Sequence, residues 1–334
     1  MKPLRIATLN CLNLALPGRR VYAGVDPYTA DEYIAKTQWL ATMLDRLGAD
    51  FVLVQEVFHE QALSDVARQS AGGARHWSLA VPHAAQDNDR PRLGMIWRPP
   101  WQPKLQSITH FPAGCAVPLP EGEPHAAFSR PLLCAEVALA GFRGAPTLTL
   151  INVHLKSRRP EFADGEDRDD AVALARAQLR ALIKRGAEAA ALRRIVVEAT
   201  RRSRAPLIVG GDFNDRASAV TTQIVADTSW KTEDRRNRDF MLFDAFDVEQ
   251  RLSPARGRDV AFTVLHGGEP ERIDHVMVSE EFVAQSKHAI GHVAAVEVFS
   301  DHLLERRRSD GSGAALDRIY SDHAAVCVSL VPAD

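Results

Sequence analysis

The sequence predicts an α/β fold with sheets in the interior and helices outside. Short apolar runs of strand length recur from one end of the chain to the other. Helical periodicity fills several of the intervals between them, and Pro- and Gly-rich stretches separate the rest. Leu4–Leu9 reads as the first strand. Thr29–Leu47 reads as a helix, with Tyr33, Ile34, Trp39, Leu40, Met43, Leu44 and Leu47 roughly on one face, Thr29 and Glu32 spaced as a capping box, and Gly48 as the stop. Phe51–Val54 is a compact buried strand and Glu60–Gln69 a second helix. Strand patterns come next at Trp77–Val81, Leu93–Trp97, Leu132–Leu139 and Thr147–Val153, with the clearest loop-like segment around Pro112–Pro124. Residues 169–199, rich in Ala, Leu and Arg, form a long helical stretch in one piece or two. Strands are expected at Leu207–Val209, Phe262–Leu265, Ile273–Val278, Ala294–Phe299 and Ala324–Leu330. No repeat or linker interrupts the pattern, so the expectation is one domain over 1–334 with a largely helical insertion around 158–204.

The 334 residues are 46% hydrophobic and 25% charged, enough apolar material for a large core. The formal charge is −2, so no global basic field draws the protein onto nucleic acid. Contact with a polyanion would need local patches, such as Arg193-Arg194, Arg201-Arg202 with Arg204, Arg235-Arg236 with Arg238, or Arg306 to Arg308. Solvated faces and loops account for most such runs. Cys11, Cys115, Cys134 and Cys327 are scattered without a C-x-x-C pair, which argues against zinc; Cys134 and Cys327 sit in apolar runs as small core residues. The first residues lack the pattern of a signal peptide, and no window approaches the ~20 apolar residues of a membrane span. A cytoplasmic location without a membrane span is the expectation.

Polar residues collect where apolar strands begin or end: Thr8-Leu9-Asn10, Leu53-Val54-Gln55-Glu56, Asn152-Val153-His154-Leu155-Lys156-Ser157, Gly210-Gly211-Asp212-Phe213-Asn214, Arg272-Ile273-Asp274-His275-Val276 and Ser321-Asp322-His323. A sheet fixes a strand end while the loop beyond it stays free to face a ligand. Singly each is weak, since an Asn or Asp after a strand is usually a turn former. A second Ser-Asp-His, 300–302, precedes Leu-Leu-Glu-Arg-Arg-Arg, whereas Ser321-Asp322-His323 precedes an apolar strand. Asp301 and His302 are therefore read as loop or helix-start residues, with a local role at the site left open.

Taken together and in this order, the six segments resemble the endonuclease/exonuclease/phosphatase superfamily, which includes DNase I, exonuclease III-type repair enzymes, neutral sphingomyelinases, inositol polyphosphate 5-phosphatases and deadenylases. The resemblance runs from Asn10 to His323. It implies a four-layered α/β/β/α sandwich of the DNase I-like type and a phosphodiester hydrolase that uses Mg²⁺, with Mn²⁺ as a substitute. It assigns Glu56, Asn10 and Asp322 to the metal, as a hard cation that keeps several waters requires. Asp212 is the candidate general base, Asn214 positions water and a phosphoryl oxygen, and His323 pairs with Asp274. Asn152 and His154 grip the phosphate from the opposite side. Proposals for this superfamily divide on whether the Asp or the His is the base, and the sequence leaves both open. Some members carry an acid two positions after the first Asn; here Leu12 stands there, and Asn13 is either a compensating ligand or a turn former. Lys156 either adds charge or, as the preferred reading, is an exposed lysine; His275 and Arg272 read as supporting or structural, and Arg92 and Arg130 as cations within reach of substrate.

The histidine in Asn152-Val153-His154-Leu155 stands in a motif where exonuclease III-type repair enzymes carry a tyrosine. A dedicated abasic-site enzyme is thus disfavoured, and a nuclease acting on DNA or RNA is the first expectation. A phosphodiesterase for a lipid headgroup or small phosphoester is the alternative. A binding module with a degenerate site is a third reading, and the complete set of acids, amides and imidazoles speaks against it. The 158–204 insertion shapes a substrate lip beside His154, makes an oligomer contact, or packs as a surface helix.

Overall fold

The computed structural model describes residues 2–22, 24–82, 90–119, 122–201, 205–227, 239–252, 261–308 and 316–333. In chain order the first half contains β1 (Leu4–Leu14), α1 (Ala30–Leu47), β2 (Phe51–Val57), α2 (Glu60–Gln69), β3 (Ser78–Ala80), β4 (Arg92–Trp97), β5 (Lys104–His110), β6 (Ala127–Ala138) and β7 (Thr147–His154). The second half contains α3 (Ala171–Arg201), β8 (Leu207–Asp212), α4 (Val220–Ala226), β9 (Leu242–Asp244), α5 (Ala245–Leu252), β10 (Val264–His266), β11 (Glu269–Glu271), β12 (Asp274–Ser279), β13 (Gly291–Phe299), α6 (Asp301–Arg308), α7 (Leu316–Ile319) and β14 (Ala325–Pro332).

Two six-stranded sheets carry the architecture, in the orders β13-β14-β1-β2-β4-β3 and β5-β6-β7-β8-β12-β9. Strand alternation divides the apolar residues into three layers. Leu4, Ile6, Phe51, Leu53, Leu148, Leu150, Ile208, Val276, Val326 and Val328 meet between the sheets. Ala7, Val52 and Val54 face the other way, onto Leu40, Leu44 and Leu63 of α1 and α2. Ile151, Val153 and Val209 pack on Leu192, Val196 and Val225 of α3 and α4. The order is helix, sheet, sheet, helix, as expected.

The ends of α1 behave as read. Thr29 Oγ1 accepts from Glu32 N–H at 3.2 Å, Thr29 N–H donates to Glu32 Oε2 at 2.8 Å, and Gly48 closes the helix at φ 54°. Ile34 departs from the buried stripe and is 48% exposed. Residues 171–201 form one unbroken helix through Gly186. The run at Phe262–Leu265 is reduced to β10, which pairs only with β11 in a small separate ribbon. The strands β5 and β9 were not among those the sequence pattern predicted. All four cysteines are free, and Cys327 is fully buried. Arg193 pairs with Asp227 at 2.6 Å and Arg194 with Glu198. Arg202, Arg204, Arg235, Arg236 and Arg238, and the side chains of Arg306 to Arg308, lie outside the described residues. Among the described residues no helix is long and apolar enough to cross a membrane.

One glycine is dictated by the sandwich itself. Gly211 has φ 147°, and a Cβ there would stand 2.0 Å from Val153 O across the β7–β8 pair. Gly211→Ala is expected to destabilise the protein by about 3 kcal/mol or more, because backbone rather than a flexible side chain is struck. Urea unfolding of the purified variant measures it.

Candidate active site

The site is the polar continuation of the layer between the sheets. Inward positions alternate along β1 as Leu4, Ile6, Thr8, Asn10; along β2 as Phe51, Leu53, Gln55; along β7 as Leu148, Leu150, Asn152, His154; and along β8 as Ile208, Gly210, Asp212. Each series changes from apolar to polar at the same end of the sandwich. Register then aligns the polar members: His154 lies opposite Asp212, Asp212 opposite Asp274, and Asn10 opposite Gln55. By parity Glu56 would face outward. An irregularity in the β1–β2 and β2–β4 pairings, with Glu56 at φ 60°, redirects it, and its Oε2 accepts from Asn13 N–H at 3.0 Å. Leu12, Asn13 and Asn214 are also left-handed non-glycine residues, so strained backbone concentrates here.

Asp212 sits at the centre, 1% exposed. Its Oδ1 accepts from Asn214 N–H at 2.7 Å; its Oδ2 accepts from Asn10 Nδ2 at 3.2 Å and lies 3.3 Å from His154 Nε2 and 3.9 Å from His323 Nε2. His323 Nδ1 meets Asp274 Oδ2 at 2.8 Å. Burial pushes the Asp212 carboxyl up to about 7, helped by the nearby charges of Asp274 and Glu56 and opposed by His323 and the Asn214 amide. For His323 burial acts downward, but the charges of Asp274 and Asp212 outweigh it, so the ring holds its proton well above the usual histidine range. His154 goes the other way: burial, Arg130 and His323 keep it neutral. The Nε2 of that neutral ring lies against Asp212, and its Nδ1 is buried with no hydrogen-bond partner among the described residues.

The pair of Asp274 and His323 comes from different sheets, and neighbouring groups tie it. Thr263 Oγ1, fully buried, accepts from Ile273 N–H at 3.0 Å and Asp274 N–H at 3.1 Å, while its carbonyl accepts from Ala324 N–H at 2.7 Å. Ser321 Oγ donates to Asn10 O at 2.7 Å and accepts from His323 N–H at 3.0 Å. His302, near the start of α6, contacts His323 O through Nε2 at 3.0 Å and packs against Trp39. The second Ser-Asp-His therefore reaches the Asp212 and Asp274 carboxylates, and the first contacts its backbone.

The structure revises two expected contacts. Asn152 is fully buried, with its Oδ1 accepting from Gln55 Nε2 at 2.7 Å and its Nδ2 donating to Val54 O and Gly94 O at 3.0 and 2.8 Å. Both amide hydrogens are used, so Asn152 has none left for a phosphate and instead ties the sheets together beneath the site. His154 is directed to Asp212 rather than to solvent. Asn214 Nδ2 donates to Leu155 O at 2.9 Å, and Asp322 is half exposed at the rim, its Oδ1 4.0 Å from His323 Nε2. Gln55 and Thr263 were not among the expected site residues, whereas a local role for His302 was open. The parity of Gln55 with Phe51 and Leu53 was the signal available for it; Thr263 carried none.

His275 and Arg272 are structural. His275 Nδ1 meets Asp244 Oδ2 at 2.9 Å and Nε2 meets Asp215 O at 3.0 Å, and Arg272 covers the Phe246 ring at 4.2 Å. Cations line the rim: Arg130 Nη1 donates to Leu155 O at 3.3 Å, and Arg158 and Arg216 both pair with the buried Glu271. The hydrogen bond from Arg216, and that from Arg158, hold the Glu271 carboxyl at about 2 against burial. A depressed carboxyl stabilises the fold above its unfolded pKa and loses that contribution as pH falls through its folded value. The Tm difference between wild type and Glu271→Gln should accordingly shrink from pH 4.5 towards about 2. Beside the rim, a cavity of ≈ 370 Å³ opens between β4 and β6, lined in part by Arg90, Arg92, Leu93, Ser107, Ser129 and Leu133.

Among the described residues, one acid and histidine cluster has ligand atoms mutually within 4.8 Å, and it comprises Asp212, Asp274 and His323; Glu56, expected as the main metal ligand, is outside it. Asp274 Oδ1 is buried and has no hydrogen-bond partner among the described residues. Asp212, Asp274 and Asp322 face one protonated ring, and the charge of Glu56 acts on Asp212, an oxygen-rich donor set suited to a hard divalent cation.

Comparisons agree with this geometry. The profile of the Endonuclease/Exonuclease/phosphatase family matches residues 7–302, ending in the first Ser-Asp-His although the second reaches Asp274. No curated protein sequence matches. Among solved structures, truncated TDP2 from Caenorhabditis elegans is similar at 16% identity and TM-score 0.58, covering 98% of this chain and 97% of that one. An endonuclease/exonuclease/phosphatase from Bacteroides vulgatus is similar at 12% and 0.55 over 100% of both chains. A mannosyl-6-phosphatase from Bacteroides thetaiotaomicron is similar at 15% and 0.56, over 98% and 99%. At these identities the structures establish the shared fold, and the profile, spanning most of the sequence, establishes the family. The chain belongs to the endonuclease/exonuclease/phosphatase family.

Proposed function

We propose that this protein is a phosphodiester hydrolase, dependent on Mg²⁺ or Mn²⁺ and acting on nucleic acid by in-line attack of water. The hydrogen-bonded pair Asp274–His323, with Asp212 facing the ring at the end of both sheets, carries the reading. Glu56 and Asn10 would hold the cation, with Asp322 at the rim. Bound there, it would neutralise phosphoryl oxygens and the leaving oxygen.

The chain's own groups divide the remaining work. His323 keeps its proton because Asp274 stabilises the charged ring, so it is poorly placed to act as a base and well placed to stabilise charge on phosphorus. Asp212 is then the base. Asn10, His154 and the Asn214 amide fix its two oxygens, and its proton affinity is raised into the range that suits proton abstraction near neutrality. Asn214 shares the rim and orients the attacking water. Asn152, through Gln55, holds the sheets at the spacing that brings Asp212 to His323.

Arg130, Arg158 and Arg216 on one side, and Arg90 and Arg92 in the adjoining cavity, favour a substrate with more than one phosphate. Turnover of plasmid DNA, single-stranded DNA, RNA, sphingomyelin and bis-p-nitrophenyl phosphate, each titrated with Mg²⁺ and Mn²⁺, tests the reading. Cleavage of a polymer supports it. Turnover of sphingomyelin or the generic diester alone would replace nucleic acid with a lipid or small phosphoester, and no turnover of any ester would remove the catalytic reading.

A further inference from the structure

The helical insertion leaves α3 with two unlike faces. Ala177, Ala181, Glu188, Leu192 and Val196 turn inward and are buried. On the opposite face, at intervals of three and four residues, stand Val172, Ala175, Leu179, Leu182, Gly186 and Ala190. Val172, Leu179 and Leu182 are 61%, 50% and 47% exposed. Scattered exposed leucines are ordinary on a protein surface, but a continuous stripe at heptad spacing is the pattern of a helix that meets another helix. Gly186 lies on that stripe with no atom within 4 Å of the position a Cβ would take, so it opens a hollow in the solvent face. In a helix interior glycine is less favourable than alanine, and none of the described residues of this chain uses the space.

We infer that the solvent face of α3 is a docking surface for a second copy of this chain, paired antiparallel about a two-fold axis beside Leu182. The commitment to a second copy rests on self-complementarity of shape and charge. With the axis beside Leu182, the two Leu182 side chains approach each other, Leu179 fits the hollow at Gly186 of the second copy, and Ala175 meets Ala190. A two-fold contact requires this reciprocity, in which Leu179 meets Gly186 on both sides of the axis. Charge obeys the same register. The exposed acids Asp169 and Asp170 precede the apolar stripe, and Arg194, 56% exposed in its side chain and paired with Glu198 of its own chain, stands beyond it. Antiparallel pairing brings the acids of each copy beside Arg194 of the other, whereas parallel pairing would set like charges together. The antiparallel arrangement also places opposite ends of the helix dipoles together. A contact of this extent falls at the small end of stable interfaces, near 1,200 Å² in total, so association at roughly micromolar concentration is expected.

The active-site residues play no part in this surface, and the inference stands apart from the proposed reaction. Sedimentation of the full chain across a concentration series tests it. Wild type is expected to shift from the 36.8 kDa monomer to twice that mass. Leu179→Glu and Gly186→Leu should each weaken association by about 30-fold or more, one by charging the seam and the other by filling the hollow. Arg194→Glu should weaken it less, and Asp169→Arg combined with Arg194→Glu should restore it. Circular dichroism and unchanged hydrolysis of the best substrate would show that Leu179→Glu remains folded. A wild type that stays monomeric throughout the series would overturn the inference. So would a dimer that survives both Leu179→Glu and Gly186→Leu.

Discussion

Replacing His323 by Ala is expected to lower turnover by about 1,000-fold or more, while His302→Ala lowers it about tenfold or less. Both imidazoles belong to a Ser-Asp-His and are well buried, so the sequence ranks them only by the residues after each, an apolar strand for His323 and a charged helix for His302. Geometry separates them. The His323 ring lies between Asp274 and Asp212, where its charge can meet a developing phosphorane; the His302 ring reaches the backbone carbonyl of His323 instead. Asp274→Asn should approach the His323→Ala loss, because the amide cannot hold the ring charged and leaves a buried group mismatched. Asp212→Asn should fall as far, since the base is gone while the hydrogen-bonding shape remains. Steady-state kinetics at saturating metal, with circular dichroism as a check on folding, measures all four. A larger loss for His302 than for His323 would mean that the first Ser-Asp-His, where the family profile ends, is the functional one.

The second large effect concerns the cation. Chelation should abolish turnover, and Glu56→Ala should raise the metal concentration needed for half-maximal rate by about 100-fold, with a smaller change in the rate at saturating metal. The physical reason is the charge balance: several carboxylates converge with one protonated histidine among them, and an added divalent cation relieves their repulsion. Glu56 reaches the rim through a left-handed backbone conformation at a break in strand pairing. The backbone gives up regularity to present its carboxylate. A variant that keeps wild-type metal dependence would transfer the ligand role to Asp212 and Asp274, the acids of the tight cluster.

Legibility in the sequence tracks the range of the forces involved. Strands and helices with strong periodicity, including α1 with both of its caps, are local and were readable. That Asn10, Asp212, Asp274 and His323 come together could be read from strand ends because alternation and motif order both point to them. The failures are non-local. Asn152 looked like a phosphate ligand until Gln55, Val54 and Gly94 from the facing sheet claimed all of its amide. Thr263, outside every motif, joins Asp274 to the strand carrying His323 only because two sheets meet there. Edge strands such as β5 and β9 carry weak patterns, since one side of each faces no partner strand.

Whether one cation and one phosphate share this end of the sandwich is decided by anomalous scattering from crystals soaked with Mn²⁺ and a nucleoside monophosphate. A single Mn²⁺ peak is expected, coordinated by Glu56 with Asn10 in its shell, and a phosphorus atom between that ion and the His323 ring. Manganese bound away from Glu56, or a phosphate held elsewhere with the Asp212–His323 region empty, would contradict the proposed chemistry.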